Sequence, residues 1–162
     1  MFIEDILEKF GITATEALVN AIKTKLIERQ GANGSFRSVV NASGRLADSI
    51  DYVVTGSKLT IRGDDYIYYL ENGRKPGKRP PKDVIRKWIE DKGIVPRDNI
   101  SKDSLAFLIA RKMGQEGTTI YKAGGSDLVS GIFNDQFVDS LQSEFMNLLT
   151  VEVESEILKL VA

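Results

Sequence analysis

The sequence predicts an α+β fold: a small antiparallel sheet flanked by several helices, with a long helix at the C-terminal end. Three observations carry that prediction. Apolar residues recur at helical spacing on both sides of the chain's middle. Two β-rich runs, Tyr52-Val-Val-Thr and Leu59-Thr-Ile-Arg, flank Gly56-Ser57-Lys58 and read as a hairpin over about 52–62. From Phe133 onward an apolar stripe repeats at i+4 without a breaker. A chain of 162 residues suits a single domain over 1–162.

Taken in order, residues 2–10 place Phe2, Ile3, Ile6, Leu7 and Phe10 on one face of a short helix, which Gly11 is expected to end. Thr13 or Thr15 then caps a second helix over about 16–28, with Ala17, Leu18, Ala21 and Ile22 inward and Lys23, Lys25 and Arg29 outward. The Gly- and Asn-containing run at 30–35 breaks it. Residues 36–40 suit a short strand, and 45–50 one or two helical turns presenting Leu46 and Ile50. After the hairpin, Tyr66, Tyr69 and Leu70 at i, i+3 and i+4 mark a short helix that Gly73 stops.

The run GRKPGKRPP at 73–81 predicts a rigid basic loop. A helix over 82–92 follows, with Val84, Ile85, Trp88 and Ile89 inward, stopped by Gly93 and Pro96. Ser101 is the N-cap of the next helix, to about 115, whose inward residues are Leu105, Leu108, Ile109 and Met113. Four glycines make 114–126 irregular, with 120–122 a short strand or part of an extended arm. The last helix carries Phe133, Phe137, Leu141, Phe145, Leu148 and Leu149, and continues through Val153, Ile157 and Leu160.

Composition excludes much chemistry. The chain has no histidine and no cysteine. That removes disulfides, thiolate zinc sites, cysteine nucleophiles and every imidazole-based triad. A carboxylate-only metal site would need acids converging across the fold; Asp64-Asp65 and the pair Asp48 and Asp51 are each better read as turn residues. No convergent catalytic constellation is visible, so neither an enzyme, a cofactor, a bound metal nor a small-molecule substrate is expected. The start is acidic and amphipathic, unlike a signal peptide, and no apolar run approaches the ~18 residues of a membrane span, so a soluble protein with no membrane partner is expected.

Net charge is only −1, but it is unevenly placed. Residues 74–92 hold eight Lys or Arg against three Asp or Glu, a net of +5. Residues 134–162 hold Lys159 against six acids, a net of −5. Arg74, Lys75, Lys78, Arg79, Lys82, Arg86 and Lys87 are candidate contacts to a partner subunit or to DNA in a channel. Glu144, Glu152, Glu154 and Glu156 are candidate subunit-contact acids. Opposite patches suit head-to-tail association; solvated faces are the alternative. Tyr66, Tyr68 and Tyr69 suit either a half-buried edge or base stacking.

Several stretches together resemble the neck or tail-completion (head-tail joining) proteins of tailed bacteriophages and prophages. These are a small-residue turn entering Leu46-Ala-Asp-Ser-Ile50, the hairpin, and a tyrosine-bearing segment ending in Glu71-Asn-Gly-Arg-Lys-Pro-Gly-Lys78. Pro80-Pro81 then introduces a helix around Trp88-Ile89, and Ala106-Phe-Leu-Ile-Ala-Arg-Lys112 precedes Glu116-Gly-Thr118. The resemblance covers roughly 43–121 and places a tail-completion-like core at about 36–121, with N-terminal helices and an acidic C-terminal helix around it. Residues 122–132 lack the proline that the family's loop carries.

The resemblance implies a structural virion protein, not an enzyme. It would form a homo-oligomeric ring between the portal-bound connector and the tail-tube or tail-terminator proteins, located in the virion neck and, during assembly, in the host cytoplasm. Non-specific contact with passing DNA is compatible with it. On this reading the arm over 117–127 reaches a neighbouring subunit. The competing expectations are a small nucleic-acid-binding protein using 74–92 and, last, a carboxylate-metal nuclease.

Overall fold

A computed structural model describes residues 2–31, 34–39 and 42–161. The first element, α1 (Phe2–Thr24), is one continuous helix where two were expected. Gly11 lies inside it, for a tertiary reason. A Cβ at Gly11 would sit 2.4 Å from Cδ2 of Tyr52. The missing side chain is the space the Tyr52 ring occupies, and this packing outweighs the ~1 kcal/mol that a mid-helix glycine costs. Thr13 and Thr15 cap nothing. Their hydroxyls donate to the carbonyls of Lys9 (3.0 Å) and Gly11 (2.8 Å), the back-bonding of threonines within a helix.

The helix ends before residue 28 because β1 (Leu26–Gly31) pairs antiparallel with β2 (Gly34–Val39), Leu26 opposite Val39 and Gly31 opposite Gly34. Ile27 is buried while Leu26 is exposed, the alternation of a half-covered strand. Ala32 and Asn33 of the expected break, and Val40 at the expected strand's end, lie outside the described residues. One helical turn, α2 (Arg45–Asp48), buries Leu46 and Ala47.

The predicted hairpin is β3 (Asp51–Thr55) and β4 (Lys58–Arg62), with Thr55 opposite Lys58. Its two-residue turn has Gly56 at φ 57°, the positive φ required at the first turn position of type II′. The two hairpins form separate two-stranded sheets. With α3 (Tyr66–Asn72), α4 (Lys82–Asp91), α5 (Lys102–Glu116), α6 (Thr119–Lys122) and α7 (Asp135–Val161), the architecture is α+β and mostly helical.

Two apolar clusters organise these elements. The larger joins Leu18 and Ile22 of α1, Ile27 of β1, Leu46 and Ala47 of α2, Leu70 of α3, Ile120 of α6, and Leu128. The smaller lies between α4 and α5: Ile85 and Ile89 against Ala106 and Ala110, with Trp88, Leu105, Ile109 and Met113 around them. Two expectations fail here. Val84 and Leu108 are 58% and 41% exposed rather than inward. The seam is centred on Ala106 and Ala110, whose small side chains let the helices approach, so Val84 and Leu108 fall on its flanks. Ser101 caps α5 as expected, accepting the Ser104 N–H at 3.1 Å.

Residues 120–122 form neither strand nor arm but the helical turn α6, capped by the Thr118 hydroxyl. The segment 117–127 is folded onto its own chain. Thr118 N–H donates to the Arg74 carbonyl (2.9 Å) and Ser126 N–H to the Glu71 carbonyl (2.8 Å). Ile120 and Leu128 are both buried in the larger cluster, which draws the segment between them inward.

The expected C-terminal helix is α7. Phe133 packs on the larger cluster, Phe137 stacks edge-on to Phe10 with centroids 6.1 Å apart, and Glu144 ion-pairs with Lys9. From Leu149 to Leu160 every described side chain is exposed. Among the described residues no helix is long and apolar enough to cross a membrane.

Candidate interaction surface

The basic loop is held in place from outside itself. Gly73 ends α3 at φ 70°, with its N–H on the Tyr69 carbonyl at 3.0 Å. Arg74 then makes a two-way bridge to Thr118: its N–H donates to the Thr118 hydroxyl (2.9 Å), and its carbonyl accepts the Thr118 N–H (2.9 Å). Farther along, Gly77 N–H donates to the Gly114 carbonyl at 2.8 Å. Gly114 is tightly met, since a Cβ there would come within 2.6 Å of Arg79 Cγ. Pro76, Pro80 and Pro81 fix φ between these anchors. The loop is thus a preorganised surface.

Its cations divide into three groups. Lys75, Lys78 and Arg79 point outward on the loop, and Lys87 is exposed on α4. Arg74 is turned back: its guanidinium donates to the Lys78 carbonyl (3.0 Å) and lies 5.7 Å over the Tyr69 ring. Lys82 and Arg86 are engaged by α5, with Lys82 3.0 Å from Asp103 and Arg86 3.4 Å from Asp103 and from Glu90. The hydrogen bond and charge of Lys82, then the charge of Arg86, hold the Asp103 carboxyl below its ordinary range. The seven candidate cations therefore do not form one continuous patch. Asp103 is distant in sequence, so no local pattern announces that it quenches two of them.

The acids divide as well. Glu144 is tied to Lys9 of its own chain, whereas Glu152 and Glu154 are exposed. The Glu156 side chain lies outside the described residues. Tyr66, Tyr68 and Tyr69 are all at least 40% exposed, and Tyr68 meets Tyr69 edge-on at 5.7 Å. Asp64 has local duties: it pairs with Arg45 (3.4 Å) and accepts the Tyr66 N–H (3.1 Å).

A carboxylate that the sequence does not single out braces the segment that follows α6. Glu71 accepts the Val129 N–H (2.8 Å), the Ser130 N–H (3.1 Å) and the Ser130 hydroxyl (2.6 Å). Burial pushes its pKa up, but these hydrogen bonds outweigh burial and hold it below the ordinary 4.5. A lowered carboxylate contributes stability above its unfolded pKa, and that contribution is lost as pH falls through the folded value. Acidification below pH 4.5 is therefore expected to release the segment at 126–131, read as faster amide exchange at Val129 and Ser130. Glu71→Gln should raise that exchange at neutral pH and remove its acid dependence; unchanged exchange in the variant would show that the carboxylate holds nothing.

Between the two apolar clusters an open groove of about 820 Å³ runs beside the loop. Its walls include Leu70 and Tyr69 of α3, Ile120 of α6, Val84 and Trp88 of α4, and Met113 of α5, with Pro80 and Pro81 at one edge. The tyrosine spacing and the two helix stripes were visible in the sequence, but the gap they leave depends on how α4 and α5 stand off from α1. Comparison of this chain with protein-family models, with curated proteins and with solved structures returns no match.

Proposed function

We propose that this chain is a structural virion protein of a tailed-phage neck, forming a ring that joins the portal-bound connector of the head to the tail. The observation that carries the reading is the separation of opposite charge onto two surfaces that, among the described residues, form no ion pair with each other. One is the clamped loop with Lys75, Lys78 and Arg79 outward; the other is the distal part of α7 with Glu152 and Glu154. A ring needs a heterologous interface that closes on rotation, and opposite charges on different faces orient such an encounter. The resemblance over 43–121 supplies the assembly in which that ring would act, with tail-tube or tail-terminator proteins on its far side.

The first test is the solution mass of the purified protein, alone and with a candidate portal–connector complex. A closed ring in either case is the expected result. A monomer that ignores the connector overturns the reading. The charge prediction is separate. Replacing Lys75, Lys78 and Arg79 together by glutamate places like charges at the contact, which costs several kcal/mol, on the order of a hundredfold or more in association. All three are exposed, so the circular dichroism spectrum should be unchanged while ring formation fails. Normal infectious particles carrying the triple variant would remove the loop from the interface.

A second reading has one observation in its favour. Tyr68 and Tyr69 are exposed next to Arg74 and the loop cations, an arrangement that suits single-stranded nucleic acid. Retention of the monomer on DNA at low salt, lost steeply as salt rises, would favour a nucleic-acid-binding protein over a ring component.

A further inference from the structure

We infer that the groove between the two apolar clusters is the receptor for the distal part of α7 from a second copy of this chain. The inference rests on the ring-forming reading above and names the contact that would build the ring.

The ligand side is the distal part of α7, whose described side chains from Leu149 to Leu160 are exposed. At 100° per residue, Met146, Leu149, Val153, Ile157 and Leu160 fall within roughly 80° of one another. All five are exposed, from 36% at Leu149 to 85% at Leu160. This stripe is not a continuation of the face that packs on α1. Phe137, Leu141, Phe145 and Leu148 centre about 120° away around the helix. The stripe's spacing of 3, 4, 4 and 3 residues is that of anchors read by an apolar groove.

The receptor side fits in size, polarity and charge. A groove of about 820 Å³ with aliphatic and aromatic walls accepts several anchor side chains. Val84 and Tyr69 line it while remaining 58% and 44% exposed, so apolar surface there awaits a cover. Five cations and three acids line it, and two of the acids pair with cations across it, Asp64 with Arg45 and Glu116 with Lys122. The net positive charge faces a helix end that carries Glu152, Glu154 and Glu156 against Lys159.

The chain cannot fill its own groove. Phe133 packs on the cluster containing Leu18 and Ile22, Phe137 on Phe10, and Glu144 on Lys9. Helix α7 thus meets α1 at Lys9 and Phe10, whereas Ile22, near the other end of α1, lines the groove. Phe10 and Ile22 alone are roughly 18 Å apart along α1 at 1.5 Å per residue, and α7 continues past Glu144 without a break. A second copy must supply the helix, and helix into groove is a heterologous contact that propagates into a ring when the rotation closes.

The test uses two variants of the full chain at exposed positions, Val84→Glu in the groove and Ile157→Glu on the stripe. Each alone is expected to lose self-association by at least about tenfold, read by analytical ultracentrifugation over a concentration series. Mixed, they should form a one-to-one dimer, because the intact helix of the first fits the intact groove of the second. A symmetric pairing of two α7 helices would instead leave Val84→Glu associating like the parent chain, which overturns the inference. So does a parent chain that stays monomeric while a labelled peptide of residues 146–162 fails to bind the Ile157→Glu chain. Rings of Val84→Glu formed on the connector would overturn the groove contact and leave the neck reading standing. A parent chain that pairs through the groove but never engages the connector would do the reverse.

Discussion

Gly73→Ala is expected to destabilise the protein by about 3 kcal/mol, more than any other exchange of one glycine for alanine around the basic loop. Two costs combine. The residue sits at φ 70°, where a side chain is strained. The added Cβ would also fall 2.2 Å from the Tyr121 backbone nitrogen and 2.7 Å from the Thr118 hydroxyl oxygen. The first of these is backbone and cannot swing aside. Relief requires α6 to move, and α6 carries the buried Ile120 while Thr118 holds Arg74. For a chain of this length the loss corresponds to a Tm lower by about 6–12 °C. Gly93→Ala is the control. Its φ of 63° is similar, but a Cβ there meets nothing within 4 Å, so only the strain of about 1 kcal/mol should be seen. Equal effects at the two sites would show that the close approach at Gly73 has no energetic consequence.

Ile89→Ala is expected to cost about 3 kcal/mol, within the range for emptying a fully buried aliphatic site. Ile89 is 0% exposed and faces Ala106, also 0% exposed, in the seam between α4 and α5. Because the neighbours are already alanines, little side-chain volume is on hand to collapse into the vacancy. The informative readout is where the loss falls. The α4–α5 pair has its own apolar cluster, and it is tied to the rest by the Gly77–Gly114 hydrogen bond and by Lys92 Nζ donating to the Val39 carbonyl at 2.6 Å. Amide exchange in α4 and α5 should therefore accelerate by about two decades while α1 changes little. A uniform acceleration through α1 would show that the two clusters open as one cooperative unit.

Two glycines, Gly11 and Gly73, show what a local sequence signal omits. Gly11 and Gly73 look alike as helix stops. Gly73 does stop α3, yet its tight fit against Tyr121 involves a residue 48 positions away. Gly11 stops nothing, because a ring from β3 occupies its missing side chain. Helix propensity registers the local cost of glycine and not the contact that offsets it. The end of the second expected helix, 26–28, differs for a similar reason. Its apolar spacing continued a helix on paper, but a partner strand at 34–39 supplied ladder hydrogen bonds that single-segment periodicity cannot anticipate.

For the candidate surface, the loop, the basic run and the acidic helix were all legible, since composition and proline spacing are local. The pairing of Lys82 and Arg86 with Asp103 was not, nor was the bracing of 126–131 by Glu71. In both cases the partner is supplied by an element brought in through apolar packing.

By itself the sequence determined the α+β class, a hairpin at about 52–62, the helices that open at Tyr66, Lys82 and Lys102, and the long C-terminal helix. Those features depend on side-chain period, caps and turn residues within one segment. Only the tertiary structure decided that the N-terminal helix is unbroken, that 117–127 folds back to clamp the basic loop, and that a groove opens between two apolar clusters. Those depend on which distant surfaces meet, and burial of apolar area is non-directional, so no local pattern specifies the partner.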